Sequence, residues 1–184
     1  LAVLKMNENV LSMVRNIPAI SPDCLRHMVS ERYGIKGTFT QLNSERDLCY
    51  RVDSLTGCSF VVKVSNEDEP EGVVDFQVKA LEHIHLVDPK LPVPRVVPTL
   101  QDRSFEWIKS ADGTPHMIRL LTFLPGSVLQ DVYSDAKEKA QIRFNLGVFT
   151  ARLGQTLRNF FHPFANSSVH LWDMGTVLKL RSHT

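Results

Sequence analysis

The segment Phe60-Val61-Val62-Lys63-Val64 places a single lysine inside a run of residues that favours a β-strand. All of its residues except the lysine are β-branched or aromatic. A charged side chain in a buried strand is costly unless an anionic group lies beside it. Lys63 is therefore the first candidate for a functional residue. The surrounding sequence must distinguish a binding site from an ordinary strand lysine that points into water.

Composition excludes several classes of partner. The chain has 184 residues, of which 43% are hydrophobic and 22% charged, as in a folded globular protein. A net charge of +1 provides no strong field for nucleic acid or a membrane surface. No apolar run approaches the roughly 20 residues of a membrane span, and residues 1–9 lack the layout of a secretory signal. Cys24, Cys49 and Cys58 lack metal-ligand spacing, which predicts reduced thiols in a cytoplasmic protein.

The first half of the chain predicts a helix followed by three strands. Ser21-Pro22-Asp23 is typical of a helix start, and Gly34 of a helix end. Strands are predicted at 38–42 and 48–53, joined by a polar turn that contains Ser44. With the Lys63 strand they form an antiparallel meander.

A second helix is predicted from the Glu69-Pro70-Glu71 segment to about Leu86. Steps of 100° per residue place five side chains on one face: Val74, Val78, Leu81, Ile84 and His85. Gln77 falls in the middle of this face, Glu82 lies off it, and His83 is opposite. An amide among apolar residues needs a hydrogen-bonding partner, either a functional group or nearby backbone.

The following segments complete the first lobe. Residues 91–94, Leu-Pro-Val-Pro, predict an extended connector. Strands are then predicted at 104–109 and 116–123, which gives about five strands and one crossing helix. Leu124-Pro125-Gly126 breaks the pattern, so a domain boundary is predicted between residues 1–124 and 125–184.

The remaining sequence predicts the first helices of a second lobe. Asp135 and Glu138 form a capping box, and apolar residues at helical spacing extend to Phe160. Small residues at 147, 151 and 154 suggest that another helix packs closely. A further apolar element is predicted at 171–180. If the apolar face at 142–160 is left uncovered, it predicts self-association.

Taken together, these segments resemble the aminoglycoside phosphotransferase family, and most closely its hydroxylysine kinase branch. The resemblance extends from about Tyr33 to Arg181. The matching pieces are 42–47 (LNSERD), 60–64 (FVVKV), 91–94 (LPVP), 118–126 (IRLLTFLPG), 146–157 (LGVFTARLGQTL), 161–163 (FHP) and 172–173 (WD).

This resemblance implies a kinase-like, two-lobed α+β fold and transfer of a phosphoryl group from ATP or GTP, with magnesium, to an alcohol group of a small molecule. The implied nucleotide-binding residues are Ser44, Val61, Lys63, Gln77, Thr122, Phe123 and Leu124. Lys63 would bind phosphates and Val61 would cover the base. The Thr122 carbonyl and the Leu124 N–H would hydrogen-bond the base. The Ser44 loop lacks the glycines of a protein-kinase phosphate loop.

Two departures from the family pattern affect the expected function. Gln77 stands where many relatives have the glutamate that pairs with the lysine, and an amide would hold Lys63 less firmly. No His-Gly-Asp segment occurs, and His170-Leu171-Trp172-Asp173 only partly imitates it. We therefore expect no catalytic base or metal ligand in this chain, and we expect the chain alone to be inactive.

Three hypotheses remain open from the sequence. The chain is the nucleotide-binding portion of a truncated small-molecule kinase, or a catalytically inactive kinase-like interaction module, or a plain α+β scaffold. The substrate is also open, and the candidates are hydroxylysine, homoserine, a choline-like alcohol and an aminoglycoside. Among them, the branch resemblance favours an amino-acid hydroxyl.

Overall fold

A six-stranded antiparallel sheet organises the computed structural model, which describes residues 17–127 and 136–165. The strands are β1 (Gly37–Leu42), β2 (Leu48–Ser54), β3 (Ser59–Val64), β4 (Val96–Val97), β5 (Glu106–Lys109) and β6 (Pro115–Thr122). The helices are α1 (Pro22–Tyr33), α2 (Glu71–Val87) and α3 (Ala136–Thr156). The strand order is β1-β2-β3-β6-β4, and β5 also pairs with β6.

The predicted α+β class and kinase-like first lobe are confirmed, with one strand more than expected. Strand β4 was missed because it has only two residues and follows the proline-rich connector at 91–94, so no alternation is visible. Its residues pair with Leu120 and Leu121 of β6.

The two faces of the sheet differ because strand side chains alternate. On one face Val62 and Val64 are fully buried in the main apolar core. Val61 and Lys63 therefore lie on the opposite face. The core also contains the side chains of α1 and of neighbouring strands, among them Leu25, Val29, Tyr50, Val52, Ile118 and Leu120.

Helix α1 has the predicted caps. The Ser21 hydroxyl accepts a hydrogen bond from the Cys24 N–H at 3.2 Å. Gly34 ends the helix in the left-handed conformation, with φ of 67°, and its N–H donates to the Ser30 carbonyl. These caps define the two ends of the helix that covers the apolar face of the sheet.

Helix α2 packs on the sheet mainly as predicted. Val74, Val78 and Ile84 are buried, but the prediction for His85 is wrong, since its side chain is exposed. The neighbouring Leu86 and Val87 are also exposed. The last turn of the helix therefore extends beyond the surface on which it packs.

Helix α3 contacts α2 through polar groups and aromatic rings. Arg152 pairs with Asp88 at 2.6 Å, and the Nε2 atom of His83 lies 3.0 Å from the Thr156 carbonyl. Beyond α3, the ring of Phe160 lies near that of Phe76.

The predicted small-residue strip on α3 meets open space in the part of the chain that is described. No described atom lies within 4 Å of a Cβ placed at Gly147 or Gly154. Phe144, Leu146 and Val148 are exposed on this helix. Asp135 and the predicted 171–180 element lie outside the described residues, and self-association stays a prediction.

Candidate functional site

Lys63 lies beside a second cation on the face of the sheet opposite the main core. Strand pairing places Arg119 of β6 directly across from Lys63, with Cys49 of β2 on the other side. The Lys63 side chain is 30% exposed, whereas that of Arg119 is only 4% exposed. The lysine can therefore reach a ligand from solvent, while the arginine lies beneath the surface.

A single carboxylate contacts both cations. Asp47 ends the turn between β1 and β2, and its Oδ2 atom lies 3.1 Å from Lys63 Nζ and 3.6 Å from Arg119 Nη2. Its side chain is 15% exposed. Partial burial strengthens these ion pairs relative to a fully exposed pair.

Gln77 reaches this cluster through the arginine. Its Oε1 atom accepts a hydrogen bond of 2.7 Å from Arg119 Nη2, while Lys63 pairs with Asp47. The expected direct contact between Lys63 and Gln77 is thus replaced by contacts through neighbours. Glu82 pairs with Lys79 and accepts from the Ser104 hydroxyl, in agreement with its predicted position off this face.

Burial dominates the electrostatics of Arg119. It lowers the pKa of the guanidinium, and the carboxylates of Asp47 and Glu69 oppose that shift. The Nη1 atom is buried and has no hydrogen-bond partner among residues 17–127 and 136–165. Arg32, Arg46 and Arg95 also each have one buried guanidinium nitrogen without a hydrogen-bond partner in these ranges, but of these four arginines only Arg119 is buried as a whole.

A second set of contacts joins the same turn to the start of α2. Arg46 pairs with Glu69 at 3.7 Å and donates to the Asn66 side-chain oxygen at 3.5 Å. Asn66 is almost completely buried at the end of β3. The turn at 43–47 is therefore connected by charged side chains to both β3 and the segment that leads into α2.

Ser44, the predicted phosphate-loop residue, lies in this turn and is half-buried. Its side chain lies close enough to the Cys49 thiol to influence the pKa of that thiol. Burial raises the pKa of that thiol, although Lys63 and Ser44 counteract the effect. Ser44, Lys63 and Gln77 are thus brought into one neighbourhood around Cys49 and Arg119.

The predicted hinge residues form a second neighbourhood at the end of β6. The Thr122 N–H donates to the Arg95 carbonyl, and the Arg95 N–H donates to the Thr122 hydroxyl. The Arg95 N–H therefore bonds the Thr122 hydroxyl and not the Thr122 carbonyl. Val61 pairs with Leu121 in the adjacent strand, which places it close to this hinge.

Phe123 lines an open cavity next to the hinge. The cavity has a volume of about 340 Å³, and its lining includes Arg51, Ser59, Phe123 and Pro125. The Arg51 guanidinium carbon lies 4.3 Å from the centroid of the Phe123 ring. Leu124 is exposed at its edge. An aromatic ring, a guanidinium and a hydroxyl therefore line the cavity beside the hinge.

Sequence reasoning missed Asp47 and Arg119. Arg119 carries a signal like that of Lys63, since it is a lone cation in the apolar run Ile118-Arg119-Leu120. Its place beside Lys63 depends on the pairing of β3 with β6, which local pattern does not reveal. Asp47 had the appearance of an ordinary turn residue.

Two features are absent from the described residues. No group of three or more His, Cys, Asp or Glu side chains could hold a metal ion there. No helix in that part of the chain is both long and apolar enough to cross a membrane.

Comparison with known families decides the classification. Residues 38–179 match the family described as "Phosphotransferase enzyme family". The chain belongs to this family. The match includes Lys63, Arg119 and the hinge, so the site described above lies within the family domain.

Individual relatives agree with the family assignment. A hydroxylysine kinase of Danio rerio is 28% identical over 159 residues, which are 83% of this chain and 43% of that protein. The solved structure of an amicoumacin kinase in complex with AMP-PNP, Ca2+ and Ami has a TM-score of 0.67 at 16% identity and covers 96% of this chain and 50% of its own. A microcompartment-associated aminopropanol kinase has a TM-score of 0.61 at 19% identity, with coverages of 85% and 46%. The chain thus spans half or less of the length of these proteins, and the structural matches establish the fold.

Proposed function

We propose that this chain binds a nucleoside triphosphate, ATP or GTP, as the nucleotide-binding portion of a kinase that phosphorylates an alcohol group of a small molecule. The position of Lys63 carries this proposal. Its ammonium group lies on the polar face of the sheet, partly exposed and paired with a carboxylate of the β1–β2 turn. Membership of a phosphotransferase family supports a phosphate ligand at that position.

Each predicted site residue has a distinct role in this proposal. Lys63 neutralises charge on the phosphates, and the turn that contains Ser44 contacts phosphate oxygens. Val61 covers the base from the sheet. The Thr122 carbonyl and the Leu124 N–H hydrogen-bond the edge of the base.

The remaining two residues, Phe123 and Gln77, lie at the edge of the proposed site. Phe123 packs beside the base in the cavity that it lines. Gln77 acts indirectly, because its amide orients Arg119 and does not itself contact the nucleotide.

We propose that the chain by itself binds nucleotide without transferring the phosphoryl group. Magnesium, when bound with the nucleotide, would neutralise phosphate charge during transfer. The transfer also needs a carboxylate to orient the acceptor hydroxyl, and the sequence contains no His-Gly-Asp segment that would provide one. We therefore expect this chain to supply neither the catalytic carboxylate nor the metal ligands.

For the acceptor we propose an amino-acid hydroxyl such as that of hydroxylysine, supported by the similarity to the zebrafish hydroxylysine kinase. A catalytically inactive nucleotide-binding module is the second candidate. The amide of Gln77, which bonds Arg119 in place of a lysine–glutamate pair, favours this candidate.

Nucleotide titration monitored by calorimetry and thermal unfolding tests the proposal. ATP or GTP should bind and raise the unfolding temperature, and Lys63→Met should weaken binding at least about tenfold, since it removes charged hydrogen bonds to phosphate. Lys109→Met is the matched control, because Lys109 is an exposed strand lysine in the same sheet. If a folded chain binds neither nucleotide, with or without magnesium, the proposal is wrong.

Phosphoryl transfer separates the two candidates. The chain alone should release no ADP or GDP above background with hydroxylysine. If a longer form that continues this sequence phosphorylates hydroxylysine, the kinase candidate is supported. If that form binds nucleotide and transfers nothing to any amino alcohol, the inactive module is supported.

A further inference from the structure

The contacts of Asp47 reproduce those of a bound anion. One carboxylate oxygen lies 3.1 Å from Lys63 Nζ and 3.6 Å from Arg119 Nη2, between two cations on adjacent strands. A phosphate oxygen can likewise lie between two cations, at the shorter distances of about 2.7–2.9 Å that charge-assisted hydrogen bonds have. The carboxylate thus marks a position at which an oxyanion is stable.

Arg119 has more donor capacity than its neighbours use. Its Nη2 atom donates to Gln77 and faces Asp47, while its buried Nη1 atom has no partner within the described ranges. Leaving a buried charged donor unsatisfied costs stability. Such a cost is commonly tolerated where a ligand completes the hydrogen bonds.

Arg119 also lies in a cluster of shared ion pairs. The cations of Arg46, Lys63 and Arg119 share two carboxylates, those of Asp47 and Glu69. Burial lowers the pKa of Arg119, and these two carboxylates oppose that shift.

We propose that Arg119 is a second phosphate-binding residue beside Lys63, and that Asp47 holds the place of a phosphate oxygen until a nucleotide polyphosphate displaces it. This inference rests on the proposed nucleotide-binding function and adds two residues to it. Arg119 and Lys63 grip the polyphosphate from adjacent strands. Asp47 competes with the ligand and so sets the affinity for phosphate.

The turn that carries Asp47 can yield without breaking the sheet. The paired part of β1 and β2 ends at Leu42 and Cys49, so the turn residues lie outside the ladder. Withdrawal of the carboxylate opens space next to both cations. A phosphate oxygen at the position of the Asp47 carboxylate would face Arg119 Nη2, which Gln77 holds in place from α2.

Calorimetric binding of adenosine, ADP and ATP tests this assignment in four proteins: the unmodified chain, Asp47→Asn, Arg119→Met and the double variant. Asp47→Asn should raise the affinity for ADP and ATP by about threefold to thirtyfold, because a competing negative charge is removed. It should leave adenosine binding unchanged. The gain should shrink in high salt, which screens charge.

Arg119→Met should weaken ADP and ATP binding and reduce the gain that Asp47→Asn produces. Asp88→Asn is the control for net charge, because Asp88 pairs with Arg152 on α3 and should leave all three affinities unchanged. Thermal unfolding reports whether each variant is folded. If Arg119→Met does not fold, Arg119→Lys, which keeps the charge but loses the planar fork, should give a smaller loss of ADP affinity.

The outcomes separate this inference from the function on which it rests. Weaker ADP binding in Asp47→Asn would show that Asp47 positions Lys63, and would overturn the inference while the nucleotide function stands. An equal gain with and without Arg119 would also overturn it. If the folded unmodified chain and Asp47→Asn both bind no nucleotide, the proposed function fails and the inference fails with it.

Discussion

The two faces of β3 carry side chains in different environments, one apolar and buried, the other partly exposed and charged. Val62 and Val64 are fully buried against α1, whereas Val61 and Lys63 alternate with them on the face that leads to the turn at 43–47 and to the hinge. The first face contributes stability through apolar burial. The second contains partly buried charges, which contribute little net stability. Substitutions on adjacent residues should therefore have separable effects.

The largest expected effect is loss of stability from the core face. Leu120→Ala should lower the free energy of unfolding by about 3 kcal/mol, because Leu120 is fully buried and its truncation leaves a cavity. Chemical denaturation measures this change. The matched control is Leu121→Ala on the other face, where the side chain is partly exposed and the expected loss is about 1 kcal/mol. Equal losses at the two positions would remove the distinction between the faces.

Replacing valine with phenylalanine at positions 61 and 62 should affect two different properties, nucleotide binding and stability. Val62→Phe overfills the core and should destabilise the fold by about 1–3 kcal/mol. Val61→Phe should change stability by less than about 0.5 kcal/mol and should weaken nucleotide binding at least about tenfold by occupying the space of the base. Denaturation and nucleotide titration on both variants measure the two effects. Normal nucleotide affinity in Val61→Phe would contradict the assignment of this face to the base.

Local sequence pattern predicts the elements better than it predicts the charged cluster. The capping serine and terminal glycine of α1 and the apolar run of β3 act over a few residues, and the structure has each of them as predicted. The partnership of Lys63 with Asp47 and Arg119 depends on turn geometry and on the pairing of β3 with β6, which brings together two residues that are far apart in the sequence. His85 was misplaced because helical periodicity does not show where the surface under the helix ends.

A carboxylate at position 77 should change the free energy of unfolding by a smaller amount than the core substitutions above. Gln77→Glu should raise the free energy of unfolding by about 1 kcal/mol, because a charge-assisted bond to Arg119 replaces a neutral one. Urea denaturation at low and high salt measures this gain, which salt should reduce. Gln77→Met, which has a similar length and no acceptor, should be destabilised. A loss of stability in Gln77→Glu would contradict the expected charge-assisted bond to Arg119.

Thiol reactivity tests how open the polar face is. Cys24 and Cys58 are exposed, whereas Cys49 is buried beside Lys63 and burial raises its pKa. Because the thiolate is the reactive form and a raised pKa reduces its fraction at neutral pH, Cys49 should react with a disulfide reagent at least about tenfold more slowly than the other two. Raising the pH should narrow the gap in the folded protein, and denaturant should abolish it. Cys49→Ser should remove only the slow phase. Three equally fast thiols would mean that the cluster around Lys63 opens readily in solution, and Asp47 could then not act as a resident competitor of phosphate.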